Sequence, residues 1–407
     1  MSNPMRPFDD VRAALLAAAK PVATIENVPT AEALGRVLAV DQVSSLNVPP
    51  LDNSSMDGYA VNTADVTAPG TRLTVAQRIP AGSVGHTLAR GTAARIFTGA
   101  PVPHGADAVV MQELCTANGN SVTIDHVPRV GEWIRRAGED IALGSTVLSA
   151  GVRLTPQMLG LAASVGCATL PVFRRLKVAL FSTGDELVMP GEPLPPGAIY
   201  NSNRYVLRGL LEALGCEVED LGIVPDTLDA TRAALRSAAA ANDLIVTSGG
   251  VSMGEEDHVR PAVQAEGRLD LWLVAMKPGK PVAFGQVNDP AGGEGAAFIG
   301  LPGNPVSSFV TFLLLVRPFV LRSMGVADCL PRSIPLPAGF NWTKPDRRRE
   351  FLRARIGAEG KVDLFPNQGP GVLTSTVWAD GLVDNPAGQP VAAGDLVRFI
   401  PYSELLS

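Results

Sequence analysis

Four short loops share one composition. STGDEL (182–187), TSGGVSMGEEDH (247–258), KPGKP (277–281) and LPGNP (301–305) are built from glycine, proline, small hydroxyl residues and charge. Glycines in such turns let backbone N–H groups approach an anion, and a helix N-terminus behind them adds partial positive charge. Ser182, Thr183, Gly184, Ser248, Gly249, Gly250, Pro302, Gly303 and Asn304 are therefore candidate contacts for a phosphate-bearing ligand. The same loops carry Asp185, Glu186, Glu255, Glu256 and Asp257, and Asp226 follows the run GIV. Carboxylates beside a phosphate cradle repel it unless a hard cation stands between them. Magnesium is held that way, by one or two carboxylates and the substrate's own oxygens. Asp185, Glu186, Asp226 and Asp257 are the candidates for that work, while Glu255 and Glu256 read as a solvated helix start. Lys277 and Lys280 bracket a Pro-Gly turn, either an anion clamp or a surface hairpin.

A second group lies earlier. In PPLDNSSMDGYAV (49–61) the paired prolines block a helix, and Asn, Ser, Asp and Gly favour a turn, so Asp57 sits in a loop before the strand YAV. FTGAPVP (97–103) adds Thr98, and IRRAGED (134–140) adds Arg135, Arg136, Glu139 and Asp140. An arginine pair suits forked recognition of an oxyanion. Polar motifs in two parts of the chain form two sites or converge across a cleft, and the sequence leaves both open.

The elements that must position these loops follow from patterning. Residues 8–19 read as a helix capped by Asp9 or Asp10, and 30–40 as a second helix. From 45 to 146, short β runs alternate with Gly- and Pro-rich turns. Residues 147–175 return to a helical pattern, so 1–44 and 147–175 are expected to form one discontinuous helical domain around an inserted β-rich domain, 45–146. Residues 176–327 alternate strand and helix, which predicts a parallel sheet with helices on both faces. Residues 328–407 are β-rich again and read as a small sandwich or barrel. Ligands of an open α/β sheet bind beyond the carboxyl ends of its strands, where the four loops fall.

Composition excludes several classes. At 407 residues, 46% hydrophobic and 18% charged, the chain has ample apolar content for several cores. No apolar run reaches a membrane span, because Arg317 and Pro318 are expected to break the longest one, Phe309–Val320. The N-terminal residues lack an apolar segment of the secretory kind, which points to the cytoplasm. Four scattered cysteines and four histidines match no zinc spacing. A net charge of −6 argues against broad nucleic-acid binding, and the one basic run, Arg347–Arg349, reads as a solvated strand end. There is no Walker motif, no dinucleotide fingerprint and no Ser-His-Asp or Cys-His arrangement.

DNSSMDGYA, RIFTGAPVP, RRAGEDI, ALFSTGDEL, TSGGVSMGEEDH, MKPGKP and GLPGNPVSS, in this order from about residue 8 onward, resemble the molybdopterin molybdenumtransferase family of bacterial MoeA and the gephyrin E domain. The resemblance implies a multidomain α/β protein: a doubly wound, MogA-like domain, an inserted β domain, a helical linker domain and a C-terminal β-barrel or sandwich. It implies a cytoplasmic transferase that takes adenylyl-molybdopterin and molybdate to molybdenum cofactor and AMP, with Mg2+ as cofactor. It also implies a homodimer whose site lies between the α/β domain of one subunit and the β domain of the other, and as a partner the adenylyltransferase that makes the substrate. The family's functional positions fall on Asp57, Thr98, Arg135, Asp140, Glu186, Asp226, Asp257 and Lys277. In that reading Asp226, Asp257 and Glu186 suit magnesium, and Lys277, Lys280 and Arg135 suit molybdate and phosphate oxygens.

Two positions depart from the family pattern. Leu273 stands where several relatives have a basic residue, and Pro370 replaces the serine of a Q-G-S stretch. Two competing readings stand beside the transferase: a scaffold that binds a peptide with the same fold, and a paralogue that binds the nucleotide but makes a variant or tungsten cofactor, which these two departures keep open. Retention of Asp57, Asp140, Asp226, Asp257 and Lys277 argues against a purely scaffolding role.

Overall fold

The computed structural model describes residues 5–250 and 258–406. Glu255, Glu256 and Asp257 lie outside the described residues. The cradle loops hang from a six-stranded sheet. Its strands are β1 (Lys177–Ser182), β2 (Glu217–Ile223), β3 (Leu244–Ser248), β4 (Gly267–Leu273), β5 (Pro281–Val287) and β6 (Ala296–Leu301), in the order 2-1-3-6-5-4. The first four in that order are parallel, whereas β5 and β4 run antiparallel at one edge. The expected all-parallel sheet is thus mixed. The links β4–β5 and β5–β6 are short turns, too short for the crossover that a parallel pair demands.

Both faces of the sheet are covered. Val178 and Leu180 of β1 face one core with the helix α1 (Ser202–Leu214), while Ala179 and Phe181 face the other with α2 (Leu228–Ala241) and α3 (Val259–Glu266). Helix α1 buries Asn203, Leu207, Leu210, Leu211 and Leu214, the stripe expected of an amphipathic helix, and ends at Gly215 in the left-handed conformation. The helix after β6, α4 (Pro305–Ser323), runs on through Arg317 and Pro318, the residues expected to break the apolar run Phe309–Val320. A wide turn over Phe312–Val316 interrupts the regular spacing, and Pro318 falls in the first turn after it, where a missing N–H is tolerated. At 19 residues α4 is long and apolar enough to cross a membrane, but 94% of its most apolar window is buried inside the protein, which makes it a core helix.

The flanking segments are less helical than their patterning suggests. Phe8–Ala18 is a helix, but Pro7 precedes it and Asp9 and Asp10 lie in its first turn, where they favour the helix dipole rather than cap it. Residues 30–40 hold only a 3-10 turn, Thr30–Glu32. Gly35 at φ 73 then turns the chain, and Val37 and Leu38 bridge Arg153 and Val172. Residues 147–175 contain one helix, Pro156–Ser164. Strand Ile25–Pro29 pairs with Thr169–Phe173, and Gln42–Val43 with Thr146–Leu148. Between these pairings the chain forms a six-stranded β sheet of its own.

At the C-terminal end, Ile334–Pro337, Leu396–Pro401, Gly381–Asn385, Arg349–Ile356 and Val362–Leu364 follow one another in pairing order. A bridge between Ala338 and Val362 closes the series into a small barrel. The two-residue strand Met276–Lys277 adds to it in parallel beside Arg349–Glu350, so the KPGKP turn is anchored in the barrel.

Candidate active site

A cavity of about 630 Å³ opens at the carboxyl ends of β1, β3 and β6. Its floor is Thr183 and Gly184 after β1, Gly249 and Gly250 after β3, and Pro302, Gly303 and Asn304 before α4. Strand order reverses between β1 and β3, the switch point where ligands of such sheets bind. Gly249 has φ 90, and a Cβ there would lie 2.7 Å from the Thr183 carbonyl oxygen, so only glycine lets these two loops meet. Ser182 and Ser248 do not line the cavity; they are buried as the last residues of β1 and β3. Ser248 Oγ accepts from Asn203 Nδ2 at 2.7 Å, and the same amide donates to Gly303 O at 2.8 Å. Asn203, on α1, thereby ties two floor loops to one helix. Thr183 Oγ1 is buried at the floor with no hydrogen-bond partner among the described residues.

Glu186 and Asp226 line the same cavity, and so do Lys277 and Lys280. Lys277 Nζ stands 3.2 Å from Glu350 Oε1 and 3.6 Å from Asp346 Oδ2. Glu350 is fully buried and also accepts from Trp342 Nε1 at 2.8 Å and Asp346 N at 3.1 Å. The ammonium is therefore pinned against the wall rather than swinging free.

Arg348, Ser307, Gln368 and Pro370 also line the cavity, as do Pro278, Gly279 and Pro281 of the KPGKP turn. The expectation that 347–349 is a solvated strand end is corrected here. Arg348 forks onto Asp346 at 2.9 and 3.0 Å and holds its carboxyl well below the usual carboxylate range. Arg349 forks onto Asp384 at 2.6 and 2.7 Å. The run leads into the strand that pairs with Met276–Lys277, which brings Arg348 to the cavity, while Arg347 stays exposed as expected.

The second group gathers in the β-rich block and lines none of this cavity. Asp57 Oδ1 accepts from Thr98 N and Thr98 Oγ1, both at 2.8 Å. The Thr98 backbone bond first, and its hydroxyl second, push the Asp57 pKa down. Arg135 is exposed and pairs in register with Asn53, which places it on the same loop. Asp140 is exposed nearby, its N–H bonded to Val48 O at 3.0 Å. Arg136 is occupied by Asp52, 2.6 Å away. Asp185 is exposed and outside the cavity.

Three family models match: the MoeA N-terminal region (domain I and II) over residues 6–166, a probable molybdopterin binding domain over 179–322, and the MoeA C-terminal region (domain IV) over 335–402. A protein of Haemophilus influenzae called molybdopterin molybdenumtransferase is 40% identical over 92% of this chain and 93% of its own. Molybdopterin molybdenumtransferase 2 of Mycobacterium tuberculosis is 40% identical over 94% of this chain and 96% of its own. The chain belongs to the molybdopterin molybdenumtransferase family. Its fold agrees: a crystal structure of the Pyrococcus horikoshii molybdopterin biosynthesis MoeA protein superposes with a TM-score of 0.84 at 27% identity, covering 98% of this chain and all of that one.

Within that family frame, the cavity draws on two matched regions: floor, Glu186, Asp226 and the lysines lie in 179–322, while Arg348, Gln368 and Pro370 lie in 335–402. Leu273 does not line it; its carbonyl accepts the Arg6 N–H at 2.7 Å. Pro370 does line it, and its carbonyl accepts the Val306 N–H at 3.0 Å at the head of α4. Sequence reasoning missed Asn203 and Ser307 and misread Arg348. The available signal for Ser307 was its place in the GLPGNPVSS motif, two residues after the LPGNP loop.

Proposed function

We propose that this chain inserts molybdenum from molybdate into adenylyl-molybdopterin with release of AMP. Family membership makes it a transferase of molybdenum-cofactor biosynthesis, and the scaffold reading is not favoured, since relatives matched over nearly their whole length carry the transferase name. The observation that carries the finer reading is the mixture of charges in one cavity. Lys277, Lys280 and Arg348 offer N–H donors to oxyanions, and Glu186 and Asp226 offer oxygens. Oxygen donors from two carboxylates fit magnesium, with Asp257 proposed as a third ligand. When bound, the ion would neutralise diphosphate charge. The chain's own groups hold the rest: the glycine floor lets backbone N–H groups reach phosphate, and the pinned Lys277 and Arg348 orient molybdate.

The same reading takes the protein as a homodimer, in which Asp57, Thr98, Arg135 and Asp140 of one copy complete the cavity of the other. It divides the chain at 1–44 with 147–175, 45–146, 176–327 and 328–407. It places the enzyme in the cytoplasm beside the adenylyltransferase that makes its substrate. The deciding measurement is AMP release from adenylyl-molybdopterin with and without molybdate. Release that requires molybdate is expected; no release, or release indifferent to molybdate, refutes the reading.

A further inference from the structure

Arg353 is the largest fully buried side chain among the described residues. Its Nε donates to Ser375 Oγ at 3.1 Å, and its two terminal nitrogens donate to Phe351 O and Gly369 O at 3.3 Å each. No carboxylate among the described residues pairs with it, and the one ionisable group acting on it is Tyr402. Burial pushes the Tyr402 phenol up, so it stays protonated and neutral. Burial lowers the Arg353 guanidinium only to about 10, which leaves it cationic at neutral pH. A buried charge without a counter-ion is costly unless a partner arrives to offset it.

The surroundings say where that partner sits. The Arg353 backbone N–H donates to Gln368 Oε1 and its carbonyl accepts from Gln368 Nε2, both at 2.9 Å. The guanidinium holds the next carbonyl, Gly369 O. Pro370 O then accepts from Val306 N. Gln368 and Pro370 line the cavity, so Arg353 lies directly behind its wall and joins the barrel to α4 through that wall. Glu350, three positions earlier on the same strand, is equally buried but is matched by Lys277. Only the cation of this buried pair is left without an opposite charge.

We propose that Arg353 is a positioning residue for the oxyanion substrate: it fixes the Gln368–Pro370 wall and supplies from behind it a positive charge whose counter-ion is the bound anion. This rests on the transferase reading above. The test compares Arg353→Met, Arg353→Lys and Ser375→Ala in molybdate titrations of AMP release, with thermal melts alongside. Arg353→Met should raise half-saturating molybdate about tenfold or more while kcat changes less. Arg353→Lys should recover most of that affinity although it melts below wild type. Ser375→Ala, which keeps the charge, should melt lower with half-saturation unchanged. In wild type, the side-chain Nε resonance of Arg353, assigned by its loss in Arg353→Lys, should shift when molybdate is added, a readout that stands even if Arg353→Met does not fold. A folded Arg353→Met with unaltered half-saturation, an Arg353→Lys as impaired as Arg353→Met, or an Nε resonance indifferent to molybdate overturns the inference alone. A wild type whose AMP release ignores molybdate overturns the transferase reading and this inference with it.

Discussion

Lys277→Ala separates the job proposed for one ammonium, holding an oxyanion, from its pairing with Glu350. The side chain is 38% exposed, lines the cavity and is the only cation paired with the fully buried Glu350 among the described residues. Under the proposed reading, removing it deletes a charge-assisted contact to the oxyanion, about 1.5–3 kcal/mol, or roughly tenfold to a hundredfold in half-saturating molybdate. It also strands the Glu350 carboxylate. Breaking a buried pair costs about 3–5 kcal/mol, but Trp342 Nε1 and Asp346 N still donate to Glu350 and Lys277 is partly solvated. A loss of roughly 1–3 kcal/mol of stability is therefore the reasonable range. The two effects come apart in the double variant. Lys277→Ala with Glu350→Gln should regain most of the lost stability, because a neutral amide can sit beside Trp342, yet should not regain molybdate affinity. The assays are a molybdate titration of AMP release at fixed ionic strength and a denaturant melt. If half-saturating molybdate is unchanged while nucleotide affinity collapses, Lys277 serves the diphosphate and the assigned role is wrong. If the double variant is no more stable than Lys277→Ala, the stranded-carboxylate argument is wrong.

Asp257→Asn should abolish AMP release with an unchanged melt, since an amide does not replace a metal-holding carboxylate; normal turnover at saturating magnesium would remove Asp257 from the site. Mixing inactive Asp57→Asn and inactive Asp257→Asn chains should restore part of the activity if each site uses both copies, whereas no recovery despite proven subunit exchange would place both residues in one chain's site. Thr98→Val deletes one of the two Thr98 donors that hold the Asp57 pKa down, so that pKa should rise and the acidic limb of the kcat/KM–pH profile should move to higher pH. An unmoved limb would mean that Asp57 ionisation does not govern the rate.

What was legible in the sequence was what local chemistry determines. A KPGKP turn keeps two ammoniums close whatever surrounds it, and Gly-rich loops after apolar strands fall at a sheet's carboxyl edge. Thr183, Gly184, Glu186, Asp226, Gly249, Gly250, Lys277, Lys280 and the 302–304 loop meet in one cavity for that reason. Arg348 was misread because its place depends on a parallel pairing between Met276–Lys277 and Arg349–Glu350, strands far apart in the chain. Asn203 was missed because an amide on an amphipathic helix looks like an ordinary polar position; its partners Ser248 and Gly303 come from two other loops. The false helix at 30–40 shows tertiary pairing overriding propensity: the Leu38 N–H donates to Val152 O and Val37 O accepts from the Phe173 N–H, instead of bonding along a helix. The β5–β6 reversal was hidden by the strand-and-helix alternation, although the short links could have revealed it.

The cavity's cations are not equivalent, and that bears on how an oxyanion is taken up. Lys277 and Arg348 share Asp346, and Lys277 also leans on Glu350, so both present fixed donors at reduced net charge. Lys280 is exposed and makes no ion pair among the described residues. An exposed, uncompensated ammonium lining the cavity is suited to first capture, where long-range attraction sets the encounter rate. Pinned donors deeper in the wall are suited to orientation, because they need no rearrangement when the anion arrives. The carboxylates that weaken Lys277 and Arg348 as point charges are thus what makes them useful as geometry. That arrangement needs the barrel: Glu350 lies on its strand Arg349–Ile356, Asp346 and Arg348 lead into that strand, and the short parallel pairing brings Lys277 beside them.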